Sequence, residues 1–212
     1  MSTDVTRDFA FGLPKAELHL HLEGTLEPDL KLALARKNGV DIGQSTVEEV
    51  QATYQFNDLT SFLAVYYPAM DVLQDEDDFH DLAAAYFERA RANGVVRAEC
   101  FFDPQAHTSR GIAIETVIRG YHRAVVEARE AGLSADLILC FLRDMSAQSA
   151  LETLQAALPY KDMFIGVGLD SDERDNPPTK FADVFALARE AGLHVTMHCD
   201  IDQVGSIDNI RA

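Results

Sequence analysis

Two histidines, His19 and His21, stand two positions apart in Lys15-Ala16-Glu17-Leu18-His19-Leu20-His21. On a β-strand, side chains at i and i+2 leave the same face, so such a pair is presented together. Two neutral imidazoles side by side are ready ligands for a zinc-like cation. A catalytic zinc takes three protein ligands and leaves a position open for water. The chemistry offered is hydrolysis, because the cation lowers the pKa of water toward ~7. Taken alone, the pair is equally well two core histidines satisfied by hydrogen bonds. A third imidazole is needed, and His198 is the candidate, at the end of Leu193-His194-Val195-Thr196-Met197-His198. His194 competes for the role but begins that run. His80 and His122 fall on helical stretches and are expected in the surface or core.

The elements that would bring these residues together alternate along the chain. Short β-like runs are expected at Lys15 to Leu20, Val95 to Phe101, Ala135 to Phe141, Phe164 to Leu169 and His194 to His198. Helical spacing fills the intervals, at Pro28 to Asn38, Leu59 to Tyr67, Asp77 to Asn93, Ile114 to Ala131, Ala147 to Leu158 and Phe181 to Ala191, and another helix begins at Ser206. Strand followed by helix, repeated, means a parallel sheet, either doubly wound or closed into a barrel. No GxGxxG or P-loop follows the first strand, which counts against nucleotide-binding doubly wound folds. A closed barrel needs eight such units and roughly 250 residues. The expectation is one α/β domain over residues 1–212, a (β/α)8 TIM-barrel type truncated after about the fifth βα unit. In a barrel the carboxyl ends of the strands form the active-site mouth, where His19, His21 and His198 would meet.

Composition narrows the ligand. With 18 Lys plus Arg against 35 Asp plus Glu, the formal charge is −17. Such a chain repels phosphate backbones, so no nucleic-acid partner is expected. A neutral base or nucleoside remains compatible. No apolar run reaches the ~18–20 residues that span a bilayer, so no membrane partner is expected either. Met1 to Asp8 is polar and lacks a signal-peptide core, so a cytoplasmic protein is expected. The three cysteines, Cys100, Cys140 and Cys199, have no CxxC spacing and are expected as reduced thiols. The acids Asp75 to Asp78 fit a solvated helix start, where carboxylates meet the positive end of the helix dipole. A homo-oligomer is the one macromolecular assembly left open.

Longer segments carry a resemblance. His19-Leu20-His21-Leu22-Glu23-Gly24-Thr25, Phe101-Phe102-Asp103-Pro104-Gln105-Ala106-His107-Thr108-Ser109-Arg110-Gly111 and Gly168-Leu169-Asp170-Ser171 are similar to segments of the adenosine/adenine deaminase group of the amidohydrolase superfamily. The FDPQxHTxRG and GLDS segments look like its adenine deaminase branch. The resemblance implies a metal-dependent hydrolase that removes the 6-amino group of adenine to give hypoxanthine and ammonia. It implies Zn2+, with Fe2+ as the alternative, on His19, His21 and His198. It implies substrate contacts from Glu23, Phe102, Asp103 and Ser171, with Asp172 near the purine edge. Glu23 replaces the Asp that contacts ribose in the adenosine branch, which favours a free base. The family's late metal-binding Asp, a neighbouring Asp and a water-orienting His lie beyond this sequence.

The mechanism implied requires a carboxylic acid to protonate the ring nitrogen as water attacks C6. In most of the family a Glu three residues after the third histidine does this. Here that position is Ile201, flanked by Asp200 and Asp202. Asp202 is the first candidate acid and Asp200 the second, with loop or helix-cap roles as the alternative for both. The departure leaves adenosine or an N6-substituted adenine open as substrate. A non-catalytic truncated remnant is the further alternative.

Overall fold

The structure, a computed structural model, describes residues 2–199 and 205–211. It opens with α1 (Ser2–Gly12), a helix that the polar start did not announce, and β1 (Lys15–His21). Helix α2 (Pro28–Asn38) carries Pro in its first turn and ends at Gly39, whose φ of 65° is the left-handed cap glycine accepts without a Cβ clash. Capping boxes start α3 (Val47–Ala52) at Thr46 and Glu49, and α4 (Leu59–Ala69) at Asp58 and Ser61. Helix α5 (Glu76–Ala92) begins on Asp75, whose side chain accepts from the Asp78 N–H. Asp75 and Asp77 are solvated, as the acid cluster suggested, but Asp78 is buried and takes hydrogen bonds from Lys37 and Asn38 at 2.7 Å each.

The remaining elements are β2 (Val95–Phe102), α6 (Pro104–Thr108), α7 (Ile114–Glu130), β3 (Ser134–Leu142), α8 (Ala147–Ala157), β4 (Gly166–Asp170), α9 (Ala182–Glu190), β5 (His194–Val195) and α10 (Ser206–Arg211). All four strand pairings are parallel, and spatial order equals chain order from β1 to β5. A doubly wound sheet reverses direction at a switch point. This one advances strand by strand, as the successive units of a TIM-type barrel do. No helix among the described residues is long and apolar enough to cross a membrane.

Two apolar layers flank the sheet. The larger lies between sheet and helices and includes Phe79, Leu82, Phe102, Tyr121, Leu139 and Phe141. Helices α5 and α7 close tightly at Gly120, where a Cβ would sit 2.5 Å from the Glu76 carbonyl oxygen. The smaller layer is on the inner face, where Phe101, Ile138 and Cys140 pack with Ile165.

Two local departures shape the site. Between Glu17 and Leu20 the register of β1 slips against β2, three residues facing two. An extra residue of this kind re-aims the side chains that follow. Glu17 accepts a 2.7 Å hydrogen bond from Tyr86 on the helix side, whereas His19 lies against Phe101 on the inner face. The second departure is β5, where the ladder with β4 stops at Val195 instead of running to His198. The N–H groups of Thr196 and His198 still donate to the Val167 and Leu169 carbonyls, at 3.0 and 2.9 Å.

Candidate metal centre

His19 and His21 come from the carboxyl end of β1, and His198 from the chain just past β5. The Nε2 atoms of His19 and His21 each lie 2.9 Å from His198 Nε2. Phe101 backs the group, its ring centroid 5.0 Å from both β1 imidazoles. Burial pushes the His198 pKa down to about 4, aided by His21 and His19, and burial with His21 also lowers that of His19. His19 and His198 are therefore neutral at pH 7, and the ligand nitrogens of His19, His21 and His198 lie within 4.8 Å of one another. That all-nitrogen donor set suits Zn2+ or Fe2+.

A carboxylate pair stands behind His21. Its Nδ1 lies 3.3 Å from Asp170 Oδ2 and 4.0 Å from Asp103 Oδ1. A proton held on Nδ1 by a carboxylate leaves Nε2 free as a ligand, the usual outer partnership of metal-binding histidines. Both acids are buried, Asp103 1% and Asp170 3% exposed. Burial pushes Asp170 up to about 7. Burial, then the charges of Asp170 and Glu23, raise Asp103 well above the ordinary carboxyl range.

The imidazoles and both Asp residues line a cavity of about 520 Å³. Its opposite wall is α4, through Phe62, Leu63, Tyr66 and Tyr67. Burial first, and then the nearby carboxylates, push both tyrosine pKa values up, so the phenols remain protonated donors. Tyr66 Oη is buried without a hydrogen-bond partner among the described residues. Ser171 also lines the cavity, at the left-handed φ of 70° that non-glycine residues adopt at a cost of ~1–3 kcal/mol.

The other residues singled out from sequence are distributed differently. Asp103 reaches the cavity. Phe102 does not: it is fully buried on the helix side, 5.6 Å from the Tyr121 ring, and its neighbour Phe101 faces the imidazoles. Glu23 does not line the cavity but borders a second cleft shared with Tyr54, Phe56 and Tyr66. Its Oε1 accepts from the Asp103 N–H and from His107 Nε2, both at 3.1 Å. Burial raises its pKa, but the His107 and Asp103 hydrogen bonds outweigh that and hold it below the ordinary value. Asp172 is buried by neither layer and accepts from the Arg174 N–H. Asp200 and Asp202 lie outside the described residues. His194 sits at the amino end of β5, away from the centre, against Gly166.

Sequence reasoning passed over Asp170, Tyr66, His107 and Arg143. Asp170 had a signal, since it ends a strand on the same mouth as the histidines. His107 is fully buried and bridges Glu23 to Arg110, whose Nη2 lies 2.9 Å from His107 Nδ1. Nothing in the spacing of a five-residue helix announces that bridge. No disulfide forms among the described residues, and burial pushes the Cys100 and Cys140 thiols well up, which disfavours the reactive thiolate.

A parallel βα array with three imidazoles and two buried acids at its carboxyl end is the framework of a metal-dependent hydrolase of the amidohydrolase kind. The sequence profile of the adenosine deaminase family matches residues 14–205, and the chain belongs to that family. It is 56% identical to an adenine deaminase of Geotalea uraniireducens over 187 residues, 88% of this chain and 53% of that one. The crystal structure of an adenine deaminase from Arthrobacter aurescens superimposes with a TM-score of 0.89 at 48% identity, covering 93% of this chain and 60% of its own. A zinc-bound amidohydrolase from Burkholderia ambifaria superimposes with a TM-score of 0.77 at 30% identity, over 91% and 54% of the two chains. The chain thus spans little more than half the length of these relatives.

Proposed function

We propose that this chain forms the metal-binding amino-terminal part of a purine deaminase that releases ammonia from adenine. The observation that carries the reading is the meeting of three imidazole nitrogens from β1 and the end of β5, backed by Asp103 and Asp170. His19, His21 and His198 would hold a divalent cation, with zinc favoured by the all-nitrogen donor set and by the zinc in a relative. Once bound, the cation supplies a Lewis acid that makes hydroxide available from water near neutral pH.

The chain's own residues supply the rest. Asp170, 3.3 Å from His21 Nδ1, is placed to orient that ring, with Asp103 beside it at 4.0 Å. Phe62, Tyr66 and Tyr67 wall the cavity with apolar ring surface and protonated phenols, which suits a flat, neutral, hydrogen-bonding base. Ser171, Asp103 and Glu23 are the polar groups assigned to orient it, Glu23 acting through its hold on Asp103. Asp202, with Asp200 second, is assigned as the acid that delivers a proton to the ring nitrogen, because Ile201 has none to give. Adenine is preferred over adenosine because several relatives at 51–56% identity are named adenine deaminases. Glu23, longer than the Asp of the adenosine branch, takes up room beside the cavity. The cysteines, none of them in a disulfide among the described residues, fit a cytoplasmic setting.

Two measurements test the reading. Zinc content is measured on this chain and on the same chain with His198→Ala. Ammonia release from adenine and adenosine is followed on this chain alone and joined to the carboxyl-terminal part of the Geotalea relative. One zinc per chain, lost in the variant, and turnover of adenine by the completed protein are expected. Absence of metal binding, or adenosine turned over as fast as adenine, sinks the corresponding part.

A further inference from the structure

We infer that Arg143 is a positioning residue for the third metal ligand, holding His198 in place by a buried fork of hydrogen bonds. The inference rests on the reading of His198 as a ligand.

The two β1 ligands and His198 are anchored differently. His21 sits within the ladder, paired with Phe101 of β2, and His19 lies in the register slip just before the Leu20–Cys100 pair, with ladder pairs on both sides. His198 lies three residues beyond the last ladder pair of β5, and among the described residues β5 pairs with β4 alone. One backbone hydrogen bond, from the His198 N–H to Leu169 O, ties it to the sheet. The backbone on the other side of its Cα needs a second anchor if the imidazole is to meet the β1 pair.

Arg143 supplies that anchor from the position after β3. Its side chain is fully buried. Nη1 donates to the His198 carbonyl at 3.1 Å, and Nε donates to the Asn176 carbonyl at 2.9 Å. Glu173 Oε2, 3.5 Å from Nη1, is the counter-charge. The Arg143 backbone is held as firmly: its N–H donates to Asp170 O at 3.0 Å, and its carbonyl accepts from Lys180 Nζ at 2.9 Å. One residue thus joins the ends of β3 and β4, the loop through Asn176 and the end of β5.

Chemistry explains why it is arginine. A buried cation costs several kcal/mol in desolvation, and an apolar side chain of similar volume is often as stabilising or more so. What an apolar side chain lacks is donors. The planar guanidinium can reach two carbonyls in different directions, which a lysine ammonium does less well. Arg143 does not line the cavity, so it acts through His198 and not on substrate.

The test uses the whole chain with Arg143→Gln and Arg143→Lys. Zinc affinity is read by competition with a chromophoric chelator. Hydrogen exchange at the Thr196 and His198 amides is read on the metal-free proteins. Arg143→Gln is expected to weaken zinc ~10–100-fold, the range seen for partners that orient ligands. It is also expected to speed exchange at both amides while the β2 and β3 amides keep their protection. Arg143→Lys, which retains the charge but not the fork, is expected to fall between. Wild-type zinc affinity together with unchanged exchange in both variants overturns the inference. So does loss of protection across the whole sheet in both, which would make Arg143 a general core residue. If the wild-type chain takes up no zinc, the metal-site reading fails, and the exchange data still decide whether Arg143 holds His198.

Discussion

Replacing Asp170 by Asn should make the metal-free protein more stable as pH rises and the metal-bound protein weaker. The folded chain holds the Asp170 pKa at about 7, against 3.8 for the free group, chiefly through burial. A raised pKa means that the fold favours the protonated acid. Its contribution is present in full below pH ~4, declines as the pH climbs, and is gone above ~7. The span corresponds to roughly 4 kcal/mol at 1.36 kcal/mol per unit. Asn copies the shape of the protonated acid and has nothing to ionise. With chelator present, Asp170→Asn should match wild type near pH 4, lead by roughly 2 kcal/mol near pH 5.5 and by up to roughly 4 kcal/mol at pH 8. His198 trends the other way. Its pKa, held down to about 4, means stability lost as pH falls from ~6.5 toward 4, and both proteins carry it, so it cancels in the difference. Urea unfolding followed by circular dichroism at the three pH values reads the effect. With zinc present the order should reverse, because Asn cannot support His21 Nδ1 as an anion does, at a cost of ~10–100-fold in affinity. A gap between the two proteins that stays constant with pH would refute the assignment of a buried, proton-retaining acid behind His21.

Three other expectations follow from the same coordinates. His198→Ala should lower zinc affinity by more than ~100-fold, beyond the loss from any outer partner, while the melting temperature of the chelated protein changes little; isothermal titration with zinc checks this. Glu23→Gln leaves a buried amide against the Asp103 N–H and His107 and should cost ~1–3 kcal/mol in urea unfolding, whereas the exposed Glu48→Gln should cost nearly nothing. Gly120→Ala drives a methyl to 2.5 Å from Glu76 O and 2.7 Å from Phe79 Cβ. It should destabilise the α5–α7 pair by ~1–3 kcal/mol, and thermal melts at unchanged zinc stoichiometry would show it.

Much of the frame was legible because it depends on local pattern. Pro28 and Gly39 bracket α2, an alternating run marks β1 and short apolar β-like runs mark β2 to β4, and each strand is followed by a helix, so a parallel sheet was the expected outcome. Helix α1 and the short helices α3 and α6 escaped, since five or six residues show no full period and α1 is mostly polar. The strand ending at His198 was drawn too long. Residues past Val195 still donate to β4, but without the return bonds that make a ladder.

The site divides along the same line. By itself the sequence determined which side chains could bind a cation, because residue type and the two-residue spacing of His19 and His21 suffice for that. Asp103 and Ser171 were singled out only by resemblance to the deaminase family. Tertiary structure alone decided that Phe101 and not Phe102 meets the imidazoles, because a register slip in β1 and the alternation of β2 set which face each ring occupies. It alone decided that Glu23 turns to His107 and that Asp170 keeps a proton, since burial and neighbours from distant segments set hydrogen bonds and pKa values. And it alone brought His198 within 2.9 Å of two residues about 180 positions earlier, because only the assembly of the parallel array, strand beside strand, converts distance along the chain into contact.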